Sequence, residues 1–204
     1  LAEVAAKAGY DVVVRSRSKA TADAMIAAIE KGLDKQVQRE KITADDKAAV
    51  LARLSATEKI ADLADCDLVI ESVVEDLAVK KALFAELDKA VKPGAILATN
   101  TSTLPVVEMA MATPQPDRVC GIHFFNPAPA MKLVEIVRPI TASDDTIAMQ
   151  TARSMAGSST YKPPAILRNT SCKPIRKPQR FSRTASIILS RLWSNPFGFR
   201  WGVP

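Results

Sequence analysis

Three short runs in this chain are apolar at every position: Val12-Val13-Val14, Leu68-Val69-Ile70 and Ala95-Ile96-Leu97-Ala98. A strand with no polar face has nothing to offer water, so it must be covered on both sides. That is the condition of a parallel sheet between two helical layers. The intervening segments carry helical periodicity. Leu1, Val4, Ala5 and Ala8 share one helix face, which Gly9 ends in a left-handed cap. Longer helices are expected over residues 19–41 and 45–54, the second behind Thr43 with Asp46 three places on as a capping box. Another fills residues 77–91 before the Pro93-Gly94 turn, and Pro105 opens a short one reaching residue 111. The pattern is that of an α/β protein with a mostly parallel sheet.

Two further strands, at residues 119–125 and 133–137, break the alternation and carry the most chemically distinctive residues. The first contains His123, the only histidine in 204 residues; the second contains Glu135. The linker Asn126-Pro127-Ala128-Pro129-Ala130-Met131 must turn between them. Neighbouring strands then hold imidazole and carboxylate within reach of each other. An imidazole titrates near pH ~6.5, and a carboxylate at one ring nitrogen fixes its tautomer, which suits a general base for an alcohol. A strand-end histidine satisfied by a backbone carbonyl is the plain alternative.

The net charge of +6 conceals two unlike sequences. Residues 1–150 hold 18 of the basic residues and all 22 acidic ones, a net of −4; residues 151–204 hold 10 basic residues and no acid. Six of the 13 prolines also fall after residue 157, and only the stretch around residues 184–193 offers a regular run. Residues 1–155 therefore look like one domain and residues 156–204 like a basic, Pro/Arg/Ser-rich tail. Loss of every acid at one point suggests disorder or translation in a shifted reading frame. The alternative is a genuine tail in which Phe181, Trp193, Phe197, Phe199 and Trp201 stack on nucleic acid between arginines. Cys66, Cys120 and Cys172 have no CxxC spacing, so neither a disulfide framework nor a metal site is expected, and a reducing, cytoplasmic setting fits. No run of eighteen apolar residues suggests a membrane span, and the opening residues lack the basic start and cleavage site of a signal peptide.

Taken in order, Val69-Ile70-Glu71-Ser72-Val73-Val74-Glu75-Asp76 with Lys80, then Asn100-Thr101-Ser102-Thr103, Gly121-Ile122-His123-Phe124-Phe125-Asn126-Pro127 and Met131-Lys132-Leu133-Val134-Glu135 resemble the 3-hydroxyacyl-CoA dehydrogenase family. The small bacterial members acting on 3-hydroxybutyryl-CoA are the most similar, over roughly residues 1–155. The resemblance implies a Rossmann-type domain using NAD or NADP, an acyl-CoA substrate, and a homodimer formed through a second, helical domain. It implies that His123 is the base, that Glu135 orients it, and that Ser102 binds the reacting oxygen. Glu75, Lys80 and Asn126 match positions lining nicotinamide and ribose, and Arg39 one that meets the CoA phosphates. Each has a plain reading beside it: Ser102 capping the helix near Pro105, Asn126 as a turn residue, Glu75 and Lys80 as a solvated pair, Arg39 as an exposed helix face.

The chain also departs from that family. Its pattern opens with a strand and the glycine-rich turn GxGxxG that receives the pyrophosphate, whereas this chain starts inside the first helix. The first strand is normally central, so its loss is expected to leave a gap about 10 Å wide between strands, or to force them together. The helical domain is also expected to be absent. Poor dinucleotide affinity, doubtful stability and little or no turnover are expected. Where the family has an acid for the ribose 2′-hydroxyl, the chain has Arg15-Ser16-Arg17-Ser18, with Ser16 and Arg17 suited to a 2′-phosphate or simply forming a basic surface turn.

Overall fold

Each all-apolar run becomes part of an inner strand of one seven-stranded sheet. The computed structural model describes residues 1–131, 133–156 and 184–189. In chain order the strands are β1 (Asp11–Arg15), β2 (Leu54–Thr57), β3 (Leu68–Ser72), β4 (Ile96–Thr99), β5 (Val119–Phe124), β6 (Val134–Val137) and β7 (Thr184–Leu189). They lie side by side as β2-β1-β7-β3-β4-β5-β6. All pairings are parallel except β5 with β6, which is antiparallel.

Helices cover both faces: α1 (Ala2–Lys7), α2 (Lys19–Gln38), α3 (Ala44–Leu51), α4 (Leu77–Ala90), α5 (Val106–Ala110) and α6 (Asp144–Ala156). The period of two along each strand sorts the core into two clusters. Val12, Val14, Leu68, Ile70, Ile96, Ala98, Cys120 and Ile122 pack with Ala2, Leu33 and Val50 from α1, α2 and α3. Val69, Leu97 and Val119 point the other way, onto Phe84, Leu87 and Met109 from α4 and α5. Each large side chain fully buried here stabilises the fold by roughly 1.5–3 kcal/mol. Helix starts are set locally: the Ser18 hydroxyl accepts from the Thr21 amide, Thr43 and Asp46 form a reciprocal capping box, and Asp76 accepts from the Val79 amide.

Two expectations are corrected, and one helix is added to those read from the sequence. The helix expected over residues 45–54 ends at Leu51, and Leu54–Thr57 forms the edge strand β2, with Val12 paired to Leu54. Residues 144–156, which carry no strong sequence signal, form α6. Most importantly, the gap between β1 and β3 does not exist. Thr184–Leu189 fills it as β7, parallel to both neighbours, with Val13 opposite Ser186 on one side and Ser186 opposite Val69 on the other. The reason is hydrogen bonding: two facing parallel edges hold a ladder of amides and carbonyls, each costing ~1–3 kcal/mol if buried unpaired. A strand from the far end of the chain satisfies both. The other residues of the basic tail, with its aromatic side chains, lie outside those described.

Strand order reverses direction at this centre. From β1 the chain moves outward to β2, and from β3 it moves outward the other way through β4 and β5. Loops after the carboxyl ends of β1, β3, β4 and β5 therefore share one edge, the place where open α/β sheets hold their ligands.

Candidate functional site

His123 and Glu135 are direct cross-strand partners, the former near the end of β5 and the latter on β6. Side chains opposite each other on one face of an antiparallel pair meet at close range. Here Nδ1 of His123 lies 3.2 Å from Oε2 of Glu135. The imidazole is largely covered, with 18% of its side chain exposed against 57% for Glu135, and it packs on Phe125 at a ring separation of 4.6 Å. A carboxylate bonded to Nδ1 leaves Nε2 as the nitrogen available to a substrate, the arrangement of an oriented general base.

The loop after β4 carries Ser102, which is exposed. It does not cap the next helix: α5 begins behind Pro105 with no side-chain cap. Its neighbour Thr101 organises the turn, since its hydroxyl accepts from the amides of Thr103 and Leu104 and contacts the Glu75 carboxylate. Desolvation works against the charge on Glu75. The Thr101 hydroxyl, the Lys80 ammonium and the Ser102 amide outweigh it and hold this carboxyl below its ordinary value. Glu75 remains 42% exposed at the edge. Lys80 is not part of a solvated pair: it is 1% exposed, with Nζ 2.8 Å from Glu71 and 3.2 Å from Glu75. Asn126, two residues beyond β5, is exposed on the same edge.

The basic turn after β1 is more constrained than its sequence suggests. Ser16 is 3% exposed and its amide donates to the Thr57 carbonyl, while Ser18 is consumed as the α2 cap. Arg15 donates through Nε to the Glu58 carbonyl, and the Glu58 carboxylate accepts from the Lys19 amide. Arg17 is the exposed guanidinium of this turn, and no ion pair holds it among the described residues. Arg39 is not gathered with the others. It caps the far end of α2, a helix length of roughly 30 Å from Ser18.

Two residues at this edge escaped the sequence reading as site residues. Asn100 ties three strands together: its Oδ1 accepts from the Phe124 amide, beside His123, and its Nδ2 donates to the Ser72 hydroxyl. Glu71 is a charged residue directly after three apolar ones in β3, fully buried. That anomaly is visible in Leu68-Val69-Ile70-Glu71 and was the available signal.

A doubly covered parallel sheet, with polar loops collected where strand order reverses, defines a dinucleotide-binding class of α/β domain. The profile of the family described as "3-hydroxyacyl-CoA dehydrogenase, NAD binding domain" matches residues 1–171, and the chain belongs to that family. The 3-hydroxybutyryl-CoA dehydrogenase of Bradyrhizobium diazoefficiens is 45% identical over 146 residues, covering 72% of this chain and 50% of the relative. That of Mycobacterium tuberculosis is 45% identical over 152 residues, 74% of this chain and 53% of the relative. The crystal structure of 3-hydroxybutyryl-CoA dehydrogenase from Escherichia coli superposes with a TM-score of 0.75 at 39% identity, over 76% of this chain and 33% of the other. The chain spans about half the length of the curated relatives it matches.

Proposed function

We propose that this chain is the cofactor-side part of a dehydrogenase that interconverts a 3-hydroxyacyl-CoA and its 3-ketoacyl-CoA, with 3-hydroxybutyryl-CoA and acetoacetyl-CoA as the substrate pair. The observation that carries this reading is the His123–Glu135 pair at 3.2 Å on the ligand edge of a sheet of this family. His123 removes the proton of the substrate hydroxyl. Glu135 holds its ring and balances the imidazolium. Ser102 donates to the reacting oxygen, which keeps the alcohol in line with the base. Bound NAD supplies the hydride acceptor. Glu75 and Asn126, exposed on the loops after β3 and β5, suit the nicotinamide and ribose, and Lys80 supports them through Glu75. Arg39 is assigned to the CoA phosphates only, at the outer end of α2, where its contact is sensitive to salt.

The test is single-turnover oxidation of NADH by acetoacetyl-CoA with protein in excess. Replacing His123 by Gln is expected to slow the step by about 10²–10⁴-fold. Protein-dependent oxidation at equal rates in the two proteins overturns the assignment. For the cofactor, the exposed Arg17 guanidinium suits a 2′-phosphate, so NADPH is expected to serve beside NADH. The Glu58 carboxylate at the start of α2 opposes it. Strict NADH preference, unchanged in Glu58→Gln, refutes a role for Arg17.

A further inference from the structure

A buried charge inside β3 needs a reason. Glu71 is 0% exposed, and both of its oxygens are committed to different parts of the fold. Oε1 accepts from Lys80 Nζ at 2.8 Å, from the first turns of α4, and from the Val73 amide in the turn that follows β3. Oε2 accepts from the Thr99 hydroxyl at 2.7 Å, at the end of β4. The Glu71 carbonyl takes the Asn100 amide as well. The Thr99 hydroxyl in turn accepts from the Thr101 amide, and Lys80 reaches on to Glu75, which contacts the Thr101 hydroxyl. One carboxylate thus closes a ring that runs from β3 through α4 and Glu75 to Thr101 and back through β4. Replacing a buried ion pair by apolar side chains of similar volume is often neutral or stabilising, so stability alone is a weak reason for such a pair.

We propose that Glu71 is the positioning residue of this site: it fixes the turns after β3 and β4 relative to one another, and so sets Glu75 and Ser102. It touches neither the His123–Glu135 pair nor the open edge, and it acts through Lys80 and Thr99. The inference deepens the dehydrogenase reading, since Glu75 and Ser102 matter only if that edge holds cofactor and substrate. Glutamine at this position keeps the shape but offers one acceptor oxygen to three donors, and its amide adds two more. The ring then loses at least one member.

Amide hydrogen exchange followed by NMR tests this without requiring turnover. In Glu71→Gln the amides of Thr103 and Leu104, both held by the Thr101 hydroxyl, are expected to exchange at least about tenfold faster, while those of β1 keep their rates. The near-isosteric Thr99→Val, which removes the Oε2 branch together with the acceptor of the Thr101 amide, is expected to shift the same two amides should Glu71→Gln fail to fold. As control, Asp88→Asn disturbs a buried pair with Arg118 at the opposite edge of the sheet, and is expected to leave both amides alone. In Lys80→Met/Glu71→Met, the carboxyl carbon of Glu75 is expected to titrate higher than in the parent, because the ammonium is gone. Unchanged exchange at Thr103 and Leu104 in the folded variants, an equal rise in Asp88→Asn, or an unmoved Glu75 titration overturns the proposal. NADH oxidation that His123→Gln leaves unchanged, with the exchange behaving as expected, would instead count against the dehydrogenase reading.

Discussion

Replacing Gly121 by Ala probes the joint that brings His123 to Glu135. Gly121 is paired across the ladder with Val137, two residues from the His123–Glu135 pair. A Cβ at Gly121 would sit 2.7 Å from Val137 Cβ, 3.2 Å from Val106 Cγ2 and 3.3 Å from Val137 Cγ2. Carbon atoms rest at about 3.5–4.0 Å, so β5 and β6 must separate by roughly 1 Å at this point. The nearest clash is with a Cβ, which no rotamer change can move. Such overpacking costs about 1–3 kcal/mol. Against it stands the restricted unfolded chain of an alanine, worth about 0.4–1 kcal/mol where the backbone suits it, as it does here because Gly121 has no positive φ. Because the clash with a Cβ cannot be relieved by a rotamer, it outweighs the entropy, leaving a net loss of up to about 2.6 kcal/mol. Urea unfolding of both proteins, with equal m-values as the check on two-state behaviour, measures it. The same separation loosens the contact at His123, so any NADH oxidation is expected to fall as well. Because the obstacle is Val137, the double variant with Val137→Gly is expected to lose less than the sum of the single losses. A midpoint at or above the parent value, or strict additivity, refutes the reasoning.

Four shorter predictions follow from other parts of the molecule. Arg118→Met strips the Asp88 carboxylate and the carbonyls of Asp88, Lys92 and Ala95 of their donor, with both side chains of the pair only 6% exposed; a loss of about 3–5 kcal/mol is expected in urea, and a change under 1 kcal/mol would exclude a structural role for the pair. Proline at Ser186 removes a backbone amide from the central strand β7, and a cost of at least about 1–3 kcal/mol is expected; an unaffected midpoint would mean that β7 is dispensable to the sheet. The Glu75 carboxyl is held below its ordinary value, so its contribution is complete above about pH 4.3 and disappears as pH falls through the lower folded value; midpoints measured on acidification should fall less steeply in Glu75→Gln, and identical slopes would contradict this. Burial pushes the Cys120 thiol up to about 12, so it should resist alkylation at about pH 8 until the protein unfolds; prompt modification of the native protein at this residue would disprove it.

The layers of the fold were legible because they follow from local rules. Apolar runs with no wet face require cover on both sides, and Thr43 with Asp46 marks a helix start by its side-chain oxygen. The pairing of His123 with Glu135 was legible too, from two strands and a proline-rich turn between them. β2 was harder to see, since Leu54-Ser55-Ala56-Thr57 mixes polar and small residues, as an edge strand does. Glu71 lies at the limit: its oddity shows in the sequence, its partners do not.

By itself, then, the amino-acid order determined an α/β layering and a histidine facing a glutamate, because both depend on neighbours within a few turns or one hairpin. Only the tertiary structure decided that Thr184–Leu189 enters the middle of the sheet, that Lys80 turns inward to Glu71, and that Arg39 stands far from the ligand edge. Those outcomes rest on satisfying buried amides and charges across long stretches of chain. No periodicity records which distant segment will supply the missing partner.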